Sequence, residues 1–431
     1  MNKKSITAVI VSLLILGTVG VVLTTNFHPS PIKEKTEKPK DETPIHLGNI
    51  ISFDDAVNAF SFDVFKKFFN DTQNEGNIFT SPYSIFTALA MTYEGAKGTT
   101  ADEMKKVLNI EQNNESFHEY MQSLYQYLNT NKSYNISTAN ALWIKENYPL
   151  LKEYKNLILT YYGGNSTDMN FSNPEHAAKI INGWIENKTH NLIKNLISPG
   201  NIDPVLTDLI LTNAIYFKGT WQIQFDEKNT TEKSFKISKE KYIDIETMRF
   251  IGTHNQFNYT ENQIMQMVEL PYTGNEMSMT ILLPKEGYTT QDIIRSMNHM
   301  SYKELIDSMN NTELDISLPK FKIETPLYTL NNYLKELGMP TAFTGDADFS
   351  GMNGFGQLCI SSVLHKAFIE VNEKGTEAAA ATAVIMVTSA YPGQNVTPRI
   401  VFNADHPFIF LIQHKTTDTI LFMGEVTDPS T

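Results

Sequence analysis

GTEAAAATAVIMV, residues 375–387, is the stretch on which this chain turns. Taken alone, its first nine residues have the composition of a helix. Gly375 is followed by Thr376 in position to cap, by Glu377 in the first turn, and by Ala378, Ala379, Ala380 and Ala381. From Val384 to Val387 the sequence changes to β-prone residues. Propensity is a weak prior that tertiary context overrides, so the surroundings decide what this stretch does.

Working outward, the first half of the chain is largely helical in pattern. Ala56, Phe60, Val64, Phe65 and Phe68 recur at helical spacing. A second helix runs from Pro82 to Met91, with Ile85, Phe86, Leu89 and Ala90 on one side behind a Ser81-Pro82 start. Later segments are β-branched or aromatic runs bounded by Gly, Pro or Asn: Leu209–Phe217, Met277–Leu283, Leu314–Ile323 and Pro407–Ile412. Helices and strands without a βαβ rhythm predict an α+β fold.

Of the 431 residues, 41% are hydrophobic and 11% aromatic, which is enough to build a large core. The formal net charge of −13 argues against nucleic-acid or anionic-lipid partners, which need clustered Lys and Arg. Cys359 is the one cysteine, so an intrachain disulfide and thiol-based zinc or redox chemistry are excluded. Lys3 and Lys4 precede 18 uncharged residues from Ile6 to Leu23, so residues 1–27 read as a signal peptide or a membrane anchor, with the rest of the chain outside the cytoplasm in either case. The Pro-, Lys- and Glu-rich residues 28–50 read as a disordered linker, and 51–431 as one domain. There is no G-x-S-x-G, H-E-x-x-H, P-loop or C-x-x-C, and the ten histidines lack metal-ligand spacing. No catalytic activity, metal or cofactor is expected.

Several motifs then resemble those of one family, in that family's order. NIFTSPYSIFTALAMTYEGAKGTTADEM (Asn77–Met104) looks like the second helix of the serpins and the turn after it. TNAIYFKGTW (Thr212–Trp221) resembles the third strand of their central sheet, and LPKF (Leu318–Phe321) a neighbouring strand. HKAFIEVNEKGTEAAAATA (His365–Ala383) resembles the strand and hinge that feed the reactive loop, and HPFIFLI with ILFMGEV (406–412 and 420–426) the closing hairpin. The resemblance spans residues 51–431. It implies three β-sheets with eight to nine helices and an exposed reactive-centre loop.

It also implies a function: covalent suicide inhibition of a serine protease by a monomer, with the loop as bait. The alternative within the fold is a noninhibitory chaperone or ligand carrier. In an inhibitor the hinge, from Glu373 and Gly375 through Ala381, must slide between two paired strands. Small side chains at Thr376, Ala378, Ala380 and Thr382 suit that motion, because alternate residues enter a packed face. By resemblance, Ser81, Ser84, Asn213 and His365 form a polar cluster where the strands part. Trp221, Lys320 and Glu373 mark where insertion begins. Counting from the hinge glutamate places the scissile bond at Ser389–Ala390, with Thr388 or Ala390 as neighbouring candidates for the residue before the cut. The sequence VIMVTSA suits elastase-like or subtilisin-like enzymes. The segment resembling the family's glycan-binding helix, Ser116–Thr130, carries no Lys or Arg, so no heparin response is expected.

Overall fold

In the computed structural model, the strands belong to two hydrogen-bonded systems, and the site lies in the first. The structure describes residues 53–71, 76–110, 114–130, 133–146, 148–251, 256–376 and 399–431. The expected signal or anchor (1–27), the linker (28–50), and Glu377, Ala378, Ala379, Ala380, Ala381, Ser389 and Ala390 all lie outside them.

The seven-stranded sheet contains β2 (Tyr134–Lys145), β3 (Asn165–Met169), β4 (Leu209–Thr220), β11 (Phe321–Glu324), β12 (Tyr328–Thr329), β13 (Ile360–Asn372) and β14 (Gly375–Thr376). The ten-stranded system contains β1 (Ile78–Thr80), β5 (Thr231–Lys236), β6 (Tyr242–Phe250), β7 (Gln256–Glu261), β8 (Met265–Pro271), β9 (Met277–Pro284), β10 (Asn310–Pro319), β15 (Ile400–Asn403), β16 (Phe408–His414) and β17 (Thr419–Val426). It is two sheets sharing one strand. Residues Asn310–Glu313 of β10 pair with β7, while Ile316–Pro319 pair with β6. Three sheets are therefore present, as the resemblance implies.

Ten α-helices occur among the described residues. They are α1 (Phe53–Asn70), α2 (Pro82–Tyr93), α3 (Gly98–Val107), α4 (Asn114–Thr130), α5 (Lys152–Tyr162), α6 (Pro174–Lys188), Thr290–Ser296, His299–Asp307, Asn331–Leu337 and the single turn Ser350–Asn353. Discounting that turn, the number meets the expected eight to nine.

Two expectations change. The run Leu314–Ile323 is not one strand: Pro319 ends β10 against β6, and Phe321 begins β11 against β13 in the other sheet. Pro319 has no N–H to offer a ladder, the Lys320 N–H still bonds the Glu246 carbonyl of β6 at 2.9 Å, and the chain changes sheets just after it, at Phe321. At the hinge, the propensity-only alternative of a helix does not hold where the structure begins it: Gly375 and Thr376 are a strand, already seated in the sheet rather than exposed.

The central sheet is covered on both faces. Trp143, Ala141, Leu364 and Phe368 pack with Ile181 and Ile185 of α6 on one side. On the other, α2 lies buried from Pro82 to Thr92 between this sheet and β17. Its start is built locally: the Ser81 side chain accepts from the Ser84 N–H at 3.3 Å, and Pro82 supplies a preset first turn.

Candidate functional site

The site is the seam between β4 and β13. At one end these strands pair directly and in parallel, from Ile360 to Ala367 against Leu209 to Ile215, with His365 opposite Asn213. At the other end they part, and β14 lies between them. Gly375 and Thr376 pair antiparallel with Asn372 and Val371 on one side and with Thr220 and Gly219 on the other.

Sterics explain why glycine stands at 375. Its φ is +149°, and a Cβ there would sit 2.0 Å from the Gly219 carbonyl oxygen. Thr376 is buried, and its hydroxyl lies 2.6 Å from the hydroxyl of Tyr272. The hinge thus starts inside the sheet. The turn before it is held at every residue. The Trp221 N–H donates to the Lys374 carbonyl (2.9 Å), the Trp221 indole to the Asn372 carbonyl (2.9 Å) and the Phe225 N–H to the Glu373 carbonyl (3.0 Å). Trp221 stacks on Tyr272 with centroids 4.5 Å apart. The Glu373 carboxylate accepts from the Thr230 hydroxyl at 2.8 Å and lies 3.6 Å from Lys320 Nζ, which also reaches Glu246 at 3.1 Å. Partial burial works against the Lys320 charge, but these two carboxylates outweigh it and raise its pKa.

The polar cluster lies where the strands still pair. Asn213 Nδ2 donates to Ser84 Oγ (2.6 Å) and to Asn140 Oδ1 (2.8 Å), and Ser84 Oγ donates to Asn140 Oδ1 (2.7 Å). The Ser81 N–H donates to His365 Nε2 at 3.1 Å, and the Ser81 hydroxyl donates to the Leu421 carbonyl at 2.7 Å. Since Nε2 accepts, the proton of a neutral His365 sits on Nδ1 and is donated to Asn213 Oδ1 at 2.6 Å. Burial lowers the His365 pKa to about 3. This bond joins β4 to β13 across the seam, and breaking it is a precondition for parting them.

The sequence-predicted residues therefore fall into two groups at two places on one seam: Ser81, Ser84, Asn213 and His365 at the paired end, and Trp221, Lys320, Glu373, Gly375 and Thr376 at the open end. Sequence reasoning missed Asn140, Tyr272, Thr230 and Gly219. Asn140 had a signal, as a polar residue among the apolar ones of ANALWI, but Tyr272 comes from the end of β8, in the other sheet, and had none.

Comparison with known proteins agrees with this architecture. The family model described as "Serpin (serine protease inhibitor)" matches residues 55–429. A serpin-like protein of Methanosarcina acetivorans is 37% identical, covering 100% of this chain and 99% of its own. The crystal structure of Serpin48 of the insect Tenebrio molitor, described as highly specific, superposes with a TM-score of 0.78 at 33% identity, covering 87% of this chain and 98% of its own. Human thyroxine-binding globulin, complexed with thyroxine, superposes equally well (0.78) at 28% identity, covering 88% and 98%. This chain belongs to the serpin family. Many serpins inhibit serine proteases, while some, thyroxine-binding globulin among them, do not.

Proposed function

We propose that this serpin is a suicide inhibitor of serine proteases of the elastase-like or subtilisin-like kind. The observation that carries the reading is the seating of Gly375 and Thr376 between β13 and β4, in register with both. Thr376 faces Val371 and Gly219, so the same register six residues on would put Thr382 between His365 and Asn213. Ten residues on, Met386 would reach Leu209, the first residue of β4. Thr376 points into the core, so Ala378, Ala380 and Thr382 would follow it there, and none of them is large enough to overpack that face.

The proposed mechanism uses this geometry. The protease attacks Ser389–Ala390 and forms its normal acyl ester on Ser389. Cleavage frees the segment after Thr376 to zip into the seam, exchanging the parallel β4–β13 pairing for antiparallel pairing on both sides. Thr382 displaces the His365–Asn213 bond as it passes. The tethered enzyme is carried the length of β4 before water can release it. The inhibitor acts as a monomer, outside the cytoplasm, released or anchored by its N-terminal segment. It needs no heparin, because α4 carries no Lys or Arg.

Incubation with pancreatic elastase and subtilisin tests the reading. An SDS-resistant one-to-one complex is expected, releasing a fragment that starts at Ala390. Cleavage without a complex would assign the protein to the noninhibitory, carrier-type serpins. A fragment starting at Ile400 would overturn both the bond and the protease class.

A further inference from the structure

Away from the seam, one face of the sheet formed by β5, β6, β10 and β15 gathers two cations without a carboxylate partner. Arg249, Ser317 and Asn403 stand in one row across β6, β10 and β15, since Arg249 pairs with Ser317 and Ser317 with Asn403. Thr247 is two residues from Arg249 on the same strand and so shares its face. On the edge strand, Lys233 comes up beside them and places Nζ 3.3 Å from the Ser317 hydroxyl. A cavity of about 220 Å³ opens on this face, with Lys233, Thr247, Asn403 and Asp405 among its walls.

The charges here are uncompensated. Arg249 makes no ion pair or side-chain hydrogen bond among the described residues, and its Nε is buried without an acceptor. Lys233 has only the Ser317 hydroxyl, and burial together with Arg249 lowers its pKa against the weaker pull of Asp405. The nearby carboxylates are engaged elsewhere. Asp405 accepts from His406 Nδ1 (2.7 Å) and Asn403 Nδ2 (2.6 Å), Asp315 lies 3.5 Å from Arg399, and Glu246, on the opposite face, pairs with Lys320. A chain of net charge −13 with ample carboxylates has left the Lys233 ammonium on the wall of a cavity, with Arg249 next to it and no ion pair to either among the described residues. Such an arrangement costs free energy unless an anion fills it.

We propose that this cavity binds an inorganic oxyanion of the sulfate or phosphate class. Lys233 on the wall and Arg249 next to it supply the charge, and the Asn403 amide on the wall and the Ser317 hydroxyl behind Lys233 supply further donors. Tetrahedral oxyanions match the donor set because it converges from four strands rather than lying in the plane of a flat carboxylate. Binding would tie β5 and β6 to β15, the strand that follows the reactive segment, and so stabilise the loop's C-terminal anchor.

Calorimetric titration of inorganic sulfate, and separately phosphate, into the full chain tests this at ionic strength held constant with NaCl. Saturable one-to-one binding is expected, accompanied by a thermal midpoint that keeps rising with the logarithm of oxyanion concentration once that exceeds the dissociation constant. Lys233→Gln and Arg249→Gln should each weaken binding about tenfold or more, the loss of one charge-assisted hydrogen bond. Lys233 lies on the sheet's edge strand, so its substitution remains informative if the Arg249 variant does not fold. Absence of saturable binding by the unaltered chain, binding unchanged by Lys233→Gln, or tighter binding of acetate than of either oxyanion would overturn the proposal.

Discussion

His365 is held neutral by the direction of its hydrogen bonds: the Ser81 N–H points at one ring nitrogen and cannot share it with a second proton. Burial acts in the same sense, lowering the pKa from 6.5 to about 3. Because the folded value lies below the unfolded one, the unfolded chain takes up the extra proton in that window. The contribution of His365 to stability is complete above about pH 6.5 and declines as pH falls towards 3. Glu425 works in the opposite direction: burial raises its carboxyl from 4.5 to about 7, so its contribution is complete at low pH and declines as pH rises through that range. Comparing variants separates the two. The thermal midpoint of the unaltered protein minus that of His365→Gln should shrink steadily from pH 7 to pH 4, and a difference independent of pH would show that the imidazole does not titrate with unfolding. Gly375 argues at the same scale. Alanine there would bring a Cβ to 2.0 Å from the Gly219 carbonyl at a φ of +149°, a cost of roughly 1–3 kcal/mol or more. Gly375→Ala should therefore push β14 out of the sheet, read as faster amide exchange at position 375 and at Thr376. Unchanged exchange would mean that the two residues are not held there.

At the scale of the strand, the proposed inhibition requires β14 to lengthen while β13 and β4 separate. Thr376 is the first side chain to face the core, buried against Tyr272. Thr376→Arg would put an unpaired guanidinium at that point, at a cost of several kcal/mol. On the proposed function it should turn an inhibitor into a substrate: loop cleavage persists while the SDS-resistant complex falls by about tenfold or more, and an unchanged complex yield would count against insertion at this seam. The strands also show what a sequence can and cannot disclose. Leu209–Thr220 and Met277–Pro284 were legible because long β-branched runs bounded by breakers leave few alternatives. The crossing at Pro319-Lys320 was not, since an unbroken apolar pattern looks the same whether a chain stays in one sheet or passes to a second. The hinge failed under propensity for a different reason: Ala-rich sequence records what a free chain prefers, whereas Gly375 and Thr376 answer to the edges of β4 and β13. The motifs brought Ser81, Ser84, Asn213 and His365 to one place. Asn140, which completes their network, required knowing that β2 runs beside β4 with Asn140 opposite Asn213.

Across the whole molecule, the seam is an unfinished sheet. Its strands are joined in parallel over one part and parted over the rest, with two residues of the reactive segment at the opening. Continuing the observed register would add a full strand with antiparallel partners on both sides, where the present parallel pairing has one ladder. New backbone hydrogen bonds, near 1 kcal/mol each and about a dozen in gross number, would exceed the parallel ladder they replace. The apolar burial of Val384 and Met386 would add to them. Beyond the β4–β13 ladder and the His365–Asn213 bond that must first part, covalent continuity holds the exchange back: the segment is tied at Thr376 and again at Ile400 in β15, which pairs with β10 in the other system. A single cut between these points removes the second tie. The cleaved protein, both fragments still associated, should therefore melt at least roughly ten degrees above the intact one, given a gain on the order of several kcal/mol for a domain of this size. Scanning calorimetry before and after limited proteolysis in the loop measures this directly. Equal midpoints would mean that the seam does not accept the segment, and the inhibitory reading would fall even if a protease were slowed. A large rise without any covalent complex would instead keep insertion and place the fault in timing, with deacylation outrunning the zipper.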